Sequence, residues 1–441
     1  MYIEPPPTTD LADLDGVDLS LLYKEPTRSL LERANESYDY WQKFRRRSLP
    51  DGVAPEEAWR LLKVYRLTKS VRLGLPGLQG LHVVITDGLL ERLHRLDSRL
   101  AGTVTFEEEL TPGKEARYVQ SAMMEEAIAS SQLEGASTER SKAKAMLRRA
   151  RAPRDNSERM IANNYAAMRF VVETAERTIT PDYLLELHRI ATENTLDDPA
   201  WEGSFRVGGN QVVDSDTGEV VHEAPPVGRL GGLIADLCRY ASEPSPRPFI
   251  HPLVRAAVVH FLIGYIHPFE DGNGRTARAL MYAYMLRHGY WLTEYLIISK
   301  AIAKSRVGYD RAYLHVEHDG LDATYFVHHQ LKAIQTAVQQ FEGYIARKLR
   351  REREARELQA REGYNVRQAD TLAQLRRDPR RVFNVQDYAR EHDVTVTTAR
   401  TDLEALVRRG KLARSRPGRQ VLYAAPSESE SGNLHLFSVT P

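Results

Sequence analysis

Apolar residues recur at three- and four-residue intervals along most of this chain, and period-two alternation is confined to short runs, so the pattern predicts a mainly α protein. A helix is predicted from about Thr86 to Leu100, with Leu89, Leu90, Leu93 and Leu96 on its apolar side. Trp41, Phe44, Trp59 and Tyr65 are candidate core among the basic residues between Glu36 and Leu75. Another helix starts near Val119 and runs to Ser130-Ser131-Gln132-Leu133-Glu134-Gly135. Thr180 and Pro181 mark a further start, a capping hydroxyl followed by proline in the first turn, and turn Tyr183, Leu184, Leu187 and Ile190 inward. Val254, Val258, Phe261, Leu262 and Tyr265 keep helical spacing up to His267, where Pro268 breaks the helix. Helical character resumes from Arg275 to Leu286. Between these helices, Phe205 to Val213 and Val220 to Pro226 are two short valine-bearing runs around Asp216-Thr217-Gly218, the pattern of a hairpin.

The ends read differently. Pro5-Pro6-Pro7 and the Asp-rich stretch Asp10 to Asp18 give no apolar period. Arg347 to Arg361 is dense in Arg and Glu, a solvated helix and linker. Beyond it, Thr371 to Leu375, Val385 to Ala389 and Val394 to Leu406 predict three short helices, and Gly410-Lys411-Leu412 with Gly418 to Tyr423 a two-stranded wing. The resulting organisation is an irregular and helical region (1–114), a helix region (115–150), a helical core (151–345), a charged linker (346–363), a small C-terminal domain (364–425) and a tail (426–441).

Composition adds bounds. At 441 residues, 42% hydrophobic and 27% charged, the chain is ordinary and long enough for two or three domains, and its net charge of +1 argues against a whole-chain polyanion binder. Cys238 is the only cysteine, which excludes an internal disulfide and a cysteine-rich metal site and suits a reducing cytoplasm. No basic and apolar leader opens the sequence, and no apolar run is long enough to span a bilayer, so neither export nor membrane insertion is expected.

The chemistry concentrates in His267-Pro268-Phe269-Glu270-Asp271-Gly272-Asn273-Gly274-Arg275-Thr276-Ala277-Arg278. Gly272 and Gly274 free the backbone for convergent N–H groups, and Asn273 tolerates a left-handed turn. A helix starting there offers its N-terminus to an anion. Arg275 and Arg278, three apart, lie on neighbouring turns of one face. The stretch also matches G-x-G-x-x-A, but a dinucleotide fingerprint follows a strand and here a helix precedes; a P-loop needs a Gly-Lys-Ser/Thr that is missing. A plain glycine-rich turn with solvated charges is the structural alternative. A histidine with a pKa of about 6.5 is largely neutral near pH 7 and can act as a base. One carboxylate with substrate phosphates is a sufficient magnesium site.

The run H-P-F-x-D-G-N-G-R-x-x-R resembles the signature of the Fic family without a departure. The resemblance, over roughly residues 115 to 340, implies a helical core that moves AMP from ATP onto a protein hydroxyl. It makes His267 the base and Asp271 the magnesium ligand. Gly272, Asn273 and Gly274 become the phosphate cradle, Arg275 and Arg278 hold the outer phosphates, and Phe269 anchors the loop.

Ser131-x-x-Glu134 is also a capping box, and Gly135 a helix stop. Ser130, Glu134 and Gly135 match the family's inhibitory motif, [S/T]-x-x-x-E-[G/N]. That resemblance implies that Glu134 pairs with Arg278 as an intramolecular brake, while Ser130, one turn away, supports the carboxylate. The hairpin takes the place of the family's flap, which pairs with an extended target segment; Val212 and Val213 on it are assigned to the nucleotide site. The family's Tyr-Tyr pair is Ala312-Tyr313 here, so the adenine contact rests on Tyr313. His251 and His260 read as core or capping residues rather than as metal ligands with His267.

The C-terminal pattern resembles a winged helix-turn-helix. Thr395, Thr397, Thr398, Arg400 and Thr401 would start its reading helix, with Arg414, Arg416 and Arg419 in the wing. Asp393, Asp402 and Glu404 dilute that positive face, which leaves DNA and a protein partner both open. The whole reads as a cytoplasmic, auto-inhibited adenylyltransferase using ATP and Mg2+ on a target protein or on itself, with self-association open. The alternatives are the reverse reaction, removal of AMP with Glu134 positioning water, and a DNA-binding regulator whose core senses nucleotide.

Overall fold

A computed structural model describes residues 3–7, 18–101, 112–213, 217–244, 247–416 and 421–426. Asp216 of the hairpin turn, Asp10 to Val17, Arg419 of the wing and the tail beyond Pro426 lie outside the described residues. The chain divides into two compact units, Met1–Phe341 and Glu342–Pro441.

The first unit is built around the helices Pro252–Ile266 and Asn273–Arg287. The Pro252–Ile266 helix is apolar on all sides, and such a helix is stable only inside a protein; twelve of its residues are buried, from Leu253 to Ile263 without a break and again at Ile266. Around this pair pack Pro112–Leu133, Asn156–Glu173, Pro181–Thr192 and Val227–Ser242. The helix predicted to start near Val119 thus begins seven residues earlier. Thr180 caps Pro181–Thr192 by accepting from Tyr183 N–H. Tyr183, Leu184 and Leu187 are buried, with Ile190 at the margin.

The N-terminal helices Thr27–Glu36 and Pro55–Leu67 fasten to the core through buried polar contacts. Tyr38 Oη donates to Asp322, Lys63 Nζ lies 3.0 Å from Asp319, and Arg66 stacks 4.0 Å from the Tyr38 ring. Trp41, Phe44 and Trp59 are buried there. In the helix Asp87–Leu100 the buried stripe is Leu89, Leu93, Leu96 and Leu100. Leu90, expected on that side, is exposed, because one residue along a helix is a turn of about 100°. Among the described residues no helix is long and apolar enough to cross a membrane.

In the second unit, helices Val366–Arg377, Val385–His392 and Val396–Arg408 enclose Leu372, Phe383, Tyr388, Leu403, Leu406 and Tyr423. Its antiparallel sheet has Leu422–Ala424 between Phe383–Asn384 and Ala413–Ser415. Asp393, left-handed at φ 53°, makes the tight connection between the last two helices. Thr395 is exposed and caps the last helix, accepting from Thr398 N–H, while Thr398 is half-buried.

Candidate active site

The Pro252–Ile266 helix ends on His267, whose backbone is left-handed at φ 48°. That conformation is costly outside glycine and reorients the side chain at the helix end. Its Nδ1 lies 3.2 Å from Gly264 O, the carbonyl one turn back. An Nδ1–H donating there leaves Nε2 as a lone-pair acceptor. Burial lowers the imidazole below its ordinary 6.5; the Gly264 bond opposes this, while His222 and Arg206 add to it. The ring is therefore neutral and oriented at pH 7.

Residues 272–275 form an anion cradle. Gly272 caps the Asn273–Arg287 helix at φ 80°, and a Cβ there would lie 2.6 Å from Thr192 Cγ2. The helical ladder opens with Thr276 N–H to Gly272 O at 3.0 Å, so the amides of Asn273, Gly274 and Arg275 precede it and suit an anion. The Asn273 side chain is spent inside the loop, accepting from Phe269 N–H at 3.0 Å and donating to Phe269 O at 2.8 Å. Its contribution to a ligand is its backbone N–H. Phe269 is fully buried and stacks on His188 with ring centroids 3.8 Å apart.

Asp271 projects outward with its side chain 65% accessible and Oδ2 3.6 Å from Arg275. Among the described residues no three His, Cys, Asp or Glu gather as a metal cage, and His251, His260 and His267 are not brought together. His251 caps its helix and His260 bonds Tyr309. One accessible carboxylate beside an anion cradle fits magnesium, which takes few protein ligands and completes its shell with phosphates and water. Arg275 donates to Ala191 O at 2.9 Å, and its buried Nε has no hydrogen-bond partner among the described residues.

Arg278 faces the Pro112–Leu133 helix. Its Nε donates to Ser130 Oγ at 2.8 Å, Nη2 to Ser130 O at 2.9 Å, and Nη1 pairs with Glu134 Oε1 at 2.9 Å. Ser130 thus supports the arginine; the expectation that it supports the carboxylate is corrected, because its hydroxyl points across to the facing helix. Glu134 sits at a helix end, so the capping-box alternative, which needs a helix start, does not arise. Gly135 N–H bonds Gln132 O and Ala136 N–H bonds Ser131 O, with Gly135 at φ 91°, the pattern of a Schellman stop. The dipole at such an end disfavours a carboxylate. Burial pushes Glu134 up as well, but Arg278 and then Arg275 outweigh it and hold the group below its ordinary value. A Cβ on Gly274 would collide with Glu134 Oε1, so the carboxylate lies against the cradle. Arg306 secures the same helix end by donating to Leu133 O.

The hairpin of Gln211–Val213 and Val220–Glu223 is antiparallel and bulged between Val212 and Val213. Val213 is exposed and Val212 half-buried. Three side chains fasten the hairpin to the loop through main-chain carbonyls. Buried Arg206 donates to His267 O at 2.8 Å, Gly208 O at 2.6 Å and Pro225 O. Asn210 Nδ2 donates to Phe269 O at 3.1 Å and Glu270 O at 3.2 Å. His222 lies between Tyr265 O and Glu317 Oε2, each 2.8 Å away. Tyr313 packs among Phe261, Phe326 and Tyr309, against Gly264, where a Cβ would strike its ring.

Sequence reasoning missed Arg206, His188 and Arg306. His188 accepts from Gly203 N–H at 3.0 Å through Nδ1 and donates from Nε2 to Asp271 O at 2.9 Å. Burial lowers its pKa to about 4, so it is a neutral prop under the acidic residue. It lies four residues after Leu184, on the predicted apolar face, and that spacing could have flagged it. No periodic signal marks Arg206 or Arg306.

Residues 178–285 match the family model described as Fic/DOC family. Protein adenylyltransferase Fic of Drosophila melanogaster is 38% identical over 112 residues, covering 25% of this chain and 21% of that protein. Protein adenylyltransferase Fic of Nematostella vectensis is 34% identical over 127 residues, 28% of this chain and 27% of that protein. The matches span about a quarter of the length of these curated relatives. A Fic family protein from Desulfovibrio desulfuricans G20 superposes with a TM-score of 0.52 at 22% identity, over 78% of this chain and 98% of its own. Fic-1 from C. elegans gives 0.52 at 20% identity, over 75% and 87%. Residues 178–285 are a Fic domain, set in a mainly helical chain with the fold of Fic proteins.

Proposed function

We propose that the protein is an auto-inhibited adenylyltransferase that moves AMP from ATP to a Ser, Thr or Tyr hydroxyl of a target protein. The observation that carries this is the neutral His267 imidazole, oriented by Gly264 O beside the 272–275 cradle and two buried arginines. In this reading the target hydroxyl oxygen attacks the α-phosphorus and its proton passes to His267 Nε2. The bond from that phosphorus to the oxygen bridging to the β-phosphate breaks, and pyrophosphate leaves with both electrons. Arg275 and Arg278 hold the outer phosphates and stabilise the departing charge. Asp271 would hold a magnesium ion, which supplies further neutralisation of the phosphates. Val212, Val213 and Tyr313 border the nucleotide, and the hairpin offers its edge to an extended target segment.

Ser130, Glu134 and Gly135 form the brake. Arg278 cannot satisfy Glu134 and an outer phosphate with the same N–H group, so ATP bound against the closed pair is misplaced for attack. Self-modification, self-association and a cytoplasmic location belong to the same reading. Residues 364–425 are a winged helix-turn-helix module on the evidence of their three helices and antiparallel wing.

The test is label transfer from α-phosphate-labelled ATP with magnesium, comparing wild type, Glu134→Gly, and Glu134→Gly with His267→Ala. Labelling rises in the single variant and vanishes in the double. If Glu134→Gly binds ATP yet stays as silent as wild type, the auto-inhibited transferase is refuted, and removal of AMP from a modified target becomes the reaction to assay.

A further inference from the structure

The chain's net charge is only +1, but residues 364–425 carry 13 Arg and Lys against seven Asp and Glu. Whether that excess forms a usable surface depends on where the acids point. Asp402, in the middle of the last helix, is 4% exposed. It accepts from Asn365 Nδ2 and Arg367 Nε, each at 2.6 Å, and fastens that helix to the one starting at Val366. Glu404 accepts from Tyr423 Oη at 2.9 Å and pairs with Arg414 at 3.3 Å, joining helix to wing. Asp402 is spent inside the unit and Glu404 is paired at its edge, so neither dilutes the outer face, contrary to the expectation from sequence; Asp393, in the turn before the helix, is the acid of the three that stays exposed.

What remains outward on the Val396–Arg408 helix is Thr397, Arg400 and Thr401, with Arg408 two turns on. Positions three and four apart share one face. Arg416 is exposed just past the Ala413–Ser415 strand. Arg400, Arg408 and Arg416 have no hydrogen-bond or ion-pair partner among the described residues. Arg400 and Arg408 are solvated donors on a helix whose preceding turn, 393–395, is short enough to present it beside Val385–His392, and Arg416 adds a third donor from the wing.

We propose that this face binds double-stranded DNA, with the Val396–Arg408 helix in the major groove and Arg416 on the backbone. A helix of about 10–12 Å diameter fits a groove of about 12 Å, where arginine can fork onto guanine or phosphate and threonine can bond base edges. The matching groove of duplex RNA is too narrow for it. A protein partner would call for a buried apolar anchor, and Val396, 50% exposed, is the only large apolar side chain exposed on this helix. The proposal rests on the winged-helix reading of residues 364–425 and stands apart from the transfer chemistry.

The test uses the full chain and a fluorescent random-sequence duplex of roughly 30 base pairs, read by anisotropy from about 50 to 200 mM salt. Binding is expected, weakening steeply with salt. Arg400→Ala and Arg416→Ala should each weaken it and each flatten the logarithmic salt slope by about one. Both side chains are exposed, so thermal unfolding should not change. Hydrogen exchange with and without the duplex should show new protection at 393–401 and 413–416. No binding at low salt at protein concentrations up to about 100 µM, equal binding of duplex RNA, or unchanged salt slopes would overturn the proposal. Slow exchange of the Leu372, Leu403 and Leu406 amides without duplex binding would sink DNA and keep the fold. Fast exchange there would sink the fold reading itself. Loss of self-association in the arginine variants, with no DNA binding, would reassign the face to a protein interface.

Discussion

Replacing Glu134 by glutamine keeps an acceptor for Arg278 and removes only the charge. Arg278 is 2% exposed and Glu134 29% exposed in their side chains, and they meet at 2.9 Å. A hydrogen bond to a charged group contributes about 1.5 to 3 kcal/mol, with two opposite ions at the upper end and a guanidinium on a neutral glutamine amide at or a little below the lower end. Glu134→Gln should therefore weaken the closed state by about 1 to 1.5 kcal/mol, a roughly five- to twelvefold gain in the open fraction while that fraction is small. Glu134→Gly removes the whole pair, about 1.5 to 3 kcal/mol, or roughly ten- to 150-fold. Initial rates of label transfer at fixed ATP should rank wild type, Gln, Gly. Glu134 is held below its ordinary 4.5 by Arg278 against burial. Its contribution is thus present above that value and lost as pH falls through the depressed one, so the Gln-to-wild-type ratio should be flat between pH 6 and pH 8, a window chosen well above 4.5. A Gln variant as slow as wild type would refute a charge-based brake. One as fast as Gly would refute the graded arithmetic.

Three further outcomes follow from the same geometry. In a Glu134→Gly background, Arg206→Ala should cut transfer at least tenfold by unfastening His267 O from the hairpin carbonyls; loss of its positive charge should also move the acid limb of the pH–rate profile upward. An unmoved limb with normal kcat would remove Arg206 from any positioning role. Gly272→Ala, at φ 80° and with 2.6 Å to Thr192, should destabilise the first unit by about 2 kcal/mol or more, read as a lower unfolding temperature. Burial lowers the His222 pKa, but Glu317 and Tyr265 O, facing its two nitrogens, raise it more. That fastening is complete below the ordinary imidazole value and lost as pH rises through the raised one. Exchange at 220–223, corrected for the intrinsic rate, should quicken over that rise in wild type and show no such step in Glu317→Gln.

The helical architecture was legible because its apolar spacing is dense: the run before His267, apolar but for Arg255 and His260 among its buried positions, is stable only inside the protein. The motif was legible because its residues are adjacent in sequence, so their proximity needs no fold. What could not be read were the contacts between distant segments. Arg206 meets Ile266 and His267 across sixty residues, and Arg306 meets Leu133 across 173. Side-chain direction was equally hidden. Asp402 and Glu404 counted as surface acids until their partners were known, and Ser130 pointed to the facing helix instead of along its own. Leu90 shows the same limit, since a leucine beside a stripe cannot be told from one within it by hydropathy alone.

The Schellman stop after Leu133 ties the brake to a count of residues. Ser130 and Glu134 reach one guanidinium because four positions separate them and the helix ends where it does. Inserting or deleting one residue between Glu126 and Ser130 would turn the serine by about 100° and shift it by about 1.5 Å. Glu126, whose carboxylate accepts from Ser299 N–H at 3.0 Å, would keep the upstream turn in place, so the whole error would fall on the brake. Residues 122–131 of this helix are all buried, so an exchange of amino acid there meets packed neighbours even where it leaves the spacing untouched. Over evolutionary time this segment should therefore hold its length strictly and its composition to what the packed interior accepts.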